Sequence, residues 1–427
     1  MSEPGEPAAP EWERELWRSL RPLGRSERTG GYRRFSFTEA DLSCRNWFRR
    51  EADQRGLRTE TDRDTNLWAW WDPAGPVAQA GQAGPAGQQA GAIATGSHLD
   101  SVPDGGAFDG PLGVVSAFAA IDLLRQAGIE PVRPIAVAAF TEEEGARFGV
   151  ACLGSRLLTG ALTPESAREL TDADGVSLAA AMTAAGLDPA GLGPDPERLS
   201  RIEAYVELHV EQGSALAGMN AAVGVGESIW PHGRWRIDFE GRADHAGTTR
   251  LADRRDPMLP YAATVLAART VATELGALAT FGKVVAEPGG ANAICSVVRA
   301  WLDARAPDEE RLKELVSQVT AVAGLSGGQH GVSVTSHGES LSPLVEFDAA
   351  LRDRVGAALA GQDIEAPVLP TGAGHDAGVL AATLPTAMLF VRNPAGVSHA
   401  PAEHADPADC EAGVIALAAV LEELACR

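Results

Sequence analysis

The chain has 427 residues, which exceeds what one hydrophobic core usually supports and therefore predicts two domains. Its hydrophobic fraction of 45% and its charged fraction of 22% are ordinary for a globular protein and exclude a largely disordered chain. A formal net charge of −22, without any run rich in lysine and arginine, argues against nucleic acid as a partner, because a phosphate backbone would be repelled over most of the surface.

The N-terminal sequence and the apolar runs indicate neither export nor a membrane partner. Residues 1–17 are acidic and contain proline, where a secretory signal needs a basic start and an apolar centre. No stretch of about 18 uncharged apolar residues is present, as a membrane-spanning helix requires. We therefore expect a cytoplasmic protein. The five cysteines lie singly, with no CxxC spacing, and are expected to be reduced, buried side chains.

The first half of the chain has the pattern of an α/β fold. Residues 67–72 and 91–100 are predicted strands, and the sequence between them, 73–91, is rich in Pro, Gly, Ala and Gln and predicts a loop insertion. Residues 113–128 have the apolar spacing of a helix and end in glycine, and the β-branched run 134–140 predicts a buried strand. This β-α-β order predicts a sheet covered on both faces, with functional side chains at the ends of its strands.

The sequence changes character at about residue 231. From there to about 346, strand-like and helix-like segments follow in the order β-α-β-β-α-β, which predicts a ferredoxin-like unit inserted as a second, compact domain. A helix near 344–361, a strand at 386–391 and a terminal helix return the chain to the first domain. The predicted boundaries are 1–230 and 347–427 for the first domain and 231–346 for the inserted one.

Histidines and carboxylates concentrate in short polar motifs that follow predicted strands. They are His98, Asp100, Asp109, Glu142, Glu143, Glu144, His209, His245 and His399. Imidazole nitrogen and carboxylate oxygen suit Zn, Mn, Co or Ni, and no nearby cysteine offers the thiolate of a structural zinc site, so the pattern favours an open catalytic metal site. Three adjacent glutamates would repel one another unless a cation or a raised pKa neutralises them.

Each motif also has a simpler explanation. A His-x-Asp pair is common on protein surfaces, and TEEEG is typical of the solvated first turn of a helix. The glycine-rich GGAFDGPLG lacks the lysine and the spacing of a phosphate-binding loop. His209 could be a structural strand histidine, since it lies between Leu208 and Val210. Only the combination of the motifs favours the metal site.

A series of motifs in chain order carries a resemblance to a known family. They are GSHLDSVPDGGAFDG, FTEEEGARFG, ELHVEQG, RADHAGTT, PGGANAI, WLDARA, GAGHDA and GVSHAPAE. Together they resemble the M20 metallopeptidase-like family, in its amidase/hydantoinase/carbamoylase branch, over nearly the whole chain from about residue 31. The resemblance implies a mixed-sheet, zinc-peptidase-like catalytic domain with an inserted ferredoxin-like lid and dimerisation domain. The 73–91 insertion is not part of the family pattern.

The resemblance also implies a dinuclear site that holds two divalent ions, Zn, Mn, Co or Ni. The implied ligands are His98 and His209 on one ion, Glu144 and His399 on the other, and Asp109 as the bridge between them. A bound cation of this kind makes water a competent nucleophile near neutral pH, and a nearby carboxylate is then needed to move its proton.

Further roles surround the implied ions. Glu143 would be the general base, and Glu142 is another candidate in the same run. Asp100, by its His-x-Asp spacing, is placed to hold the second nitrogen of the His98 imidazole. By resemblance, His245 of the lid would reach the site of a partner subunit and stabilise an oxyanion.

The last group of implied residues faces the substrate. It comprises Gln212 as a polar contact, Asn292 and Arg305 at the substrate carboxylate, and His375 and Asp376, which either touch substrate or support the metal ligands. Arginine suits the carboxylate because its guanidinium is planar and donates two parallel hydrogen bonds.

The implied reaction is metal-dependent hydrolysis of the ureido C–N bond of N-carbamoyl-L-amino acids or allantoate, with release of ammonia and carbon dioxide. Family members include N-carbamoyl-L-amino acid hydrolases, β-ureidopropionases and allantoate amidohydrolases. The protein would then act in purine or pyrimidine catabolism, as a homodimer whose partner is a small carboxylate with a ureido group. An aminoacylase or dipeptidase of the same fold and a noncatalytic binding protein that retains the fold stay open as alternatives.

Overall fold

The computed structural model describes residues 11–73 and 91–427, so residues 74–90 of the predicted insertion lie outside the described part of the chain. The chain forms two compact units. Among the residues that the structure describes, the larger unit comprises those within Met1–Glu227 and Glu346–Arg427, and the inserted unit comprises Ser228–Val345. Within the described residues, no helix combines the length and the apolar character that crossing a bilayer requires.

The described elements up to residue 229 include both strands and helices. The strands are β1 (Arg58–Thr61), β2 (Leu67–Trp71), β3 (Ala92–His98), β4 (Ile135–Phe140), β5 (Ile202–Val210) and β6 (Val223–Ile229). The helices are α1 (Glu11–Leu20), α2 (Glu39–Gln54), α3 (Pro111–Gln126), α4 (Leu153–Thr159), α5 (Pro164–Glu169), α6 (Leu178–Ala184), α7 (Pro196–Ser200) and α8 (Ala215–Met219), with a single 3₁₀ turn at Pro189–Gly191.

The remaining elements build the inserted unit and then complete the larger one. The strands are β7 (His232–Glu240), β8 (Asp244–His245), β9 (Leu278–Glu287), β10 (Ala293–Ile294), β11 (Val297–Arg305), β12 (Ser333–Ser342), β13 (Val345–Glu346), β14 (Val368–Thr371) and β15 (Thr386–Val391). The helices are α9 (Met258–Leu275), α10 (Glu309–His330), α11 (Ala349–Ala360), α12 (Asp376–Leu380) and α13 (Pro407–Leu421), with a 3₁₀ turn at Leu251–Asp253 and a π-helical end at Glu422–Cys426.

Within the described residues, the larger unit is built on a mixed nine-stranded sheet. Its order is β1-β2-β4-β3-β5-β15-β6-β13, and β14 pairs with β6. The central strands β4, β3, β5 and β15 are parallel, whereas β2 and β6 join them antiparallel. Strands β3, β4 and β15 are buried along their whole length, as expected for parallel strands covered on both faces. Helices α3 and α13 contribute to the core that packs on this sheet.

The inserted unit is a four-stranded antiparallel sheet with two helices. Its strand order is β12-β7-β11-β9, and the chain order is β7-α9-β9-β11-α10-β12. Alternate residues of β11 are buried, and they pack in one core with apolar residues of α9 and α10. The predicted α/β fold with a mixed sheet and an inserted β-α-β-β-α-β unit is confirmed.

One predicted boundary was too early. The helix expected near 344–361 begins only at Ala349, because residues 345–346 form the short strand β13 on the edge of the large sheet. Asp348 caps the helix, and its carboxylate accepts a hydrogen bond from the Leu351 N–H at 2.7 Å.

Candidate metal centre

The parallel strands bring the predicted motifs to one edge of the sheet. His98 is the last residue of β3 and lies in register with Phe140, the last residue of β4. His209 is the next-to-last residue of β5, which runs parallel to β3. Because the carboxyl ends of parallel strands meet at one edge, the segments after residues 98, 140 and 210 start close together.

A glycine lets the start of α3 approach His98. Gly110 precedes the helix with φ 83°, a conformation that L-residues with a side chain rarely adopt. A Cβ at this position would lie 2.3 Å from Cε1 of the His98 ring. The glycine therefore allows Asp109, its neighbour in the chain, to face the imidazole.

Two groups of possible ligands share the Asp109 carboxylate. In the first, Asp109 Oδ1 lies 3.3 Å from His209 Nε2 and 3.7 Å from His98 Nε2. In the second, Asp109 Oδ2 lies 3.3 Å from His399 Nε2, which is itself 3.5 Å from Glu144 Oε2. In each group the three ligand atoms lie within 4.8 Å of one another. The five residues implied as ligands are therefore brought together, with one oxygen of the shared aspartate facing each group.

The spacing and the proton positions fit divalent cations. Two ligand atoms at about 2.1 Å from one tetrahedral ion lie about 3.4 Å apart, which is close to the separations found here. His98 Nδ1 contacts the Asp100 carbonyl at 3.2 Å and His209 Nδ1 contacts the Val210 carbonyl at 2.8 Å. A carbonyl only accepts, so each ring carries a proton on Nδ1, and Nε2, which faces Asp109, is the atom that would bind a cation. His98 Nε2 is buried and has no hydrogen-bond partner, as expected of a metal ligand.

The charges of the site shift several pKa values. Burial opposes a charge on Asp109, but its close contacts with His209, His399 and His98 hold the pKa of its carboxyl well below the usual range. The hydrogen bond between His399 and Asp109 raises the pKa of His399 to about 9. Burial, together with the charge of Asp109, raises the pKa of Glu144 to about 7. Without a cation the site therefore holds protons at neutral pH, and bound ions would displace them.

In the TEEEG turn, Glu143 and Glu144 face the ligand histidines, whereas Glu142 points away from them. Glu142 is buried, and its Oε1 accepts hydrogen bonds at 2.8 Å from the N–H groups of residues 147 and 148. The Asp100 carboxylate accepts from the N–H groups of Glu143 and Glu144 at 3.2 and 3.1 Å. Its Oδ1 also lies 3.4 Å from His98 Nδ1. Asp100 thus contacts both the first histidine and the turn, whereas Glu142 has a structural contact instead of facing the ligands.

Gln212 contacts the second group of ligands. Its amide nitrogen donates to Asp109 Oδ2 at 2.8 Å and lies 3.2 Å from His399 Nε2. The amide nitrogen thus contacts the two atoms that would hold the second ion. We expect this side chain to turn away when an ion binds there, which would leave its amide available to a substrate.

His375 and Asp376 lie behind the ligands and are buried. The His375 ring is 4.5 Å from the His209 ring, and burial lowers the pKa of His375 well below its usual range. Asp376 accepts a hydrogen bond from Ser155 Oγ at 2.5 Å. These contacts are to protein groups, which favours a supporting role over contact with substrate.

The predicted substrate contacts of the inserted unit lie at two ends of one strand. His245 and Asn292 are neighbours, because β8 pairs with β10 and the Ala246 N–H donates to the Asn292 carbonyl at 3.0 Å. Arg305 is the last residue of β11, which begins five residues after Asn292. At 3.3 Å per residue, the strand is about 26 Å long. The strand β11 thus lies between Arg305 and the pair formed by His245 and Asn292, and the binding of a substrate carboxylate by Asn292 and Arg305 stays a prediction.

Sequence reasoning missed two buried glutamates and a serine that support the site. Glu403 accepts hydrogen bonds from the N–H groups of Phe108 and Asp109, both at 2.9 Å. Ser398 Oγ donates to Asp109 Oδ2 at 3.1 Å. Glu207 accepts from Ser97 Oγ at 2.7 Å, directly before the His98 ligand. Glu207 and Glu403 lie in the motifs ELHVEQG and GVSHAPAE. The sequence could have indicated Glu207, because a glutamate within an apolar strand is unusual.

Comparisons with known proteins agree over nearly the whole chain. A profile of peptidase family M20/M25/M40 matches residues 94–423. The N-carbamoyl-L-amino acid amidohydrolase of Geobacillus stearothermophilus is 36% identical over 419 residues, which cover 96% of this chain and 98% of that protein. The allantoate amidohydrolase of Escherichia coli strain K12 is 30% identical, with 93% of each chain covered. A crystal structure of a hydantoinase/carbamoylase family amidase from Burkholderia ambifaria matches with a TM-score of 0.80 at 30% identity, over 97% of this chain and 98% of that chain.

Proposed function

The chain belongs to peptidase family M20/M25/M40, and we propose that it is a metal-dependent amidohydrolase that cleaves the ureido C–N bond of a small carboxylate. The substrates we propose are N-carbamoyl-L-amino acids or allantoate, because relatives at 36% and 30% identity are named for them. The observation that carries the proposal is the sharing of Asp109 between two groups of ligands, with Glu143 beside the first.

Two divalent cations at these ligands would supply Lewis acidity and lower the pKa of water. Glu143 is the proposed base, since its Oε2 lies 3.6 Å from His98 Nε2 and so faces the ligands. It takes the proton of the attacking water and returns it to the nitrogen that leaves. Water oxygen bonds to the carbamoyl carbon and the C–N bond breaks. Ammonia is released, and the remaining carbamate decomposes to carbon dioxide and an amine.

We propose that a second copy of the chain completes the site. The separation of Arg305 from His245 and Asn292 along β11 supports this, because one site can then use Arg305 of one chain and the other two residues of the second. In this arrangement Arg305 binds the substrate carboxylate through its planar guanidinium. His245, which is exposed, stabilises the oxyanion that forms on the carbamoyl oxygen.

The surface of the inserted unit supports pairing through β9. This ten-residue strand is an edge of its sheet, and such an edge offers unpaired backbone groups to another chain. Val284 and Leu278 on it are 48% and 56% exposed, and Leu266 on the neighbouring α9 is 70% exposed. Val284→Lys should therefore give a monomer by sedimentation velocity, whereas the matched change Leu341→Lys on the opposite edge strand β12 should leave a dimer. Two dimeric variants would exclude pairing through β9.

An ammonia-release screen tests the activity. Protein stripped with a chelator is supplied with Zn, Mn, Co or Ni and offered allantoate, N-carbamoyl-β-alanine and several N-carbamoyl-L-amino acids. N-acetyl amino acids and dipeptides are included, with detection of the free amino acid. Ammonia released only after an ion is restored supports the proposal. Cleavage of the acetyl or peptide substrates alone would indicate an aminoacylase or dipeptidase, and ion binding without any turnover would indicate a binding protein.

A further inference from the structure

Cys152 lies directly against the turn that carries Glu143. The Cys152 N–H donates to the Glu143 carbonyl at 2.6 Å, and the next two N–H groups donate to the carbonyls of residues 142 and 141 at 3.1 and 2.9 Å. The start of α4 therefore holds the TEEEG turn along its backbone. From its single, unclustered cysteines, the sequence predicted only a small buried side chain at this position.

The Cys152 thiol also contacts the Glu143 side chain. Its Sγ lies 3.3 Å from Glu143 Oε1, a distance typical of an S–H donor to a carboxylate oxygen. The other oxygen, Oε2, lies 3.6 Å from His98 Nε2. The two carboxylate oxygens thus have different surroundings, because one faces the thiol and the other faces the ligands.

The backbone around this contact is strained. Cys152 has φ 54° and ψ 39°, and Glu142 has φ 54°, so residues with side chains occupy the left-handed region directly before Glu143 and at the thiol that contacts it. This conformation is unfavourable for L-residues and persists where the surrounding structure fixes it, often at functional sites. Here it aims the thiol and the glutamate at each other.

We infer that Cys152 is a positioning residue for Glu143: its thiol binds Oε1 and thereby fixes the rotamer in which Oε2 faces the metal ligands. The inference rests on the proposed function, in that it assumes Glu143 to be the base. Cys152 is 4% exposed, and burial raises the pKa of its thiol well above the usual range, so the group stays a donor. The thiol does not take part in bond making or breaking.

Turnover of a set of five variants tests the inference. Cys152→Ala removes the donor and should lower kcat about tenfold, while KM and the number of bound ions stay as in the wild type. Cys152→Ser keeps a donor and should restore most of kcat. The matched control is Cys44→Ala, since Cys44 is also fully buried but does not contact Glu143. In the double variant Cys152→Ala with Glu143→Gln, kcat should equal that of Glu143→Gln alone, because the thiol acts only through the carboxylate.

A readout without turnover uses the infrared S–H stretching band. The band of Cys152 is identified by its loss in Cys152→Ser, and it should move to higher frequency in Glu143→Ala, where the acceptor is absent. This measurement needs neither ions nor substrate. If no substrate is cleaved by the wild type, the proposed function fails, yet the band still shows whether the thiol and the carboxylate are bonded. The inference is overturned if Cys152→Ala keeps the wild-type kcat, or if the band does not change in Glu143→Ala.

Discussion

Substitution of Gly110 by alanine should remove at least one of the two proposed ions. Gly110 has φ 83°, and the new Cβ would lie 2.3 to 2.5 Å from three atoms of the His98 ring. Ordinary contact begins at 3.4 Å, so the ring or the backbone must move by about 1 Å. Metal sites tolerate about 0.2 Å in their ligand distances. Movement of the ring displaces His98, and movement of the backbone displaces Asp109, so either response damages the first group of ligands.

Gly128→Ala is the matched control for this variant. Gly128 follows the other end of α3 with φ 71°, and a Cβ there would have no atom within 4 Å. Both alanines therefore carry the strain of a positive φ, but only the one at 110 contacts a proposed ligand.

The assay is the zinc content per chain after dialysis, together with the free energy of unfolding from urea titration. We expect two ions for the wild type and for Gly128→Ala, and at most one for Gly110→Ala, because displacement of Asp109 would also affect the second group of ligands. Without ions, Gly110→Ala should lose more stability than Gly128→Ala, because only its Cβ overlaps neighbouring atoms. Two tightly bound ions in Gly110→Ala would refute the reasoning, because His98 and Asp109 could then not be the ligands of the first ion.

Three further predictions follow from the geometry and the charges. Glu143→Gln should bind two ions but lose turnover. Glu142→Gln should keep most of the turnover, because the side chain of Glu142 bonds to backbone N–H groups. Ammonia release by the two variants, measured at equal ion content, tests this difference. Zinc added to the stripped protein near pH 7 should release protons, since His399 and Glu144 have pKa values of about 9 and about 7. Calorimetry in two buffers of different ionisation enthalpy measures this release, and equal heats of zinc binding in both buffers would contradict it. Burial raises the pKa of Asp64 to about 7, so the folded state binds a proton more tightly than the unfolded state and loses stability as the pH rises from about 4 to about 7. At pH 8 the free energy of unfolding of Asp64→Asn should therefore exceed that of the wild type by up to about 4 kcal/mol, and below pH 4 the two should be equal. Equal urea midpoints of the variant and the wild type at pH 8 would contradict this prediction.

The strands and the motif order were predictable from the sequence. The strand predicted at 386–391 is β15 (Thr386–Val391), and the one predicted at 91–100 is β3 (Ala92–His98), because buried parallel strands appear as continuous apolar runs. The sequence did not predict the short helices between β4 and β5, since elements of five to seven residues have too few turns for a periodic pattern.

The contacts that hold the site were less accessible to sequence reasoning. Glu403 acts on Asp109 through backbone N–H groups almost 300 residues away in the chain, and no spacing rule connects the two. The choice between Glu142 and its neighbours also needed the structure, because it depends on the left-handed turn at Glu142 that points its carboxylate to residues 147 and 148. The separation of Asn292 from Arg305 follows from the strand β11 between them, whose length was visible in the sequence.

Anomalous X-ray diffraction from crystals of the zinc-loaded protein tests the central claim most directly. Two zinc peaks are expected, each about 2.0 to 2.2 Å from its ligand atoms, with one oxygen of Asp109 on each ion. His98 and His209 should bind the first ion, and Glu144 and His399 the second. A single ion, or two ions that do not share Asp109, would contradict the account.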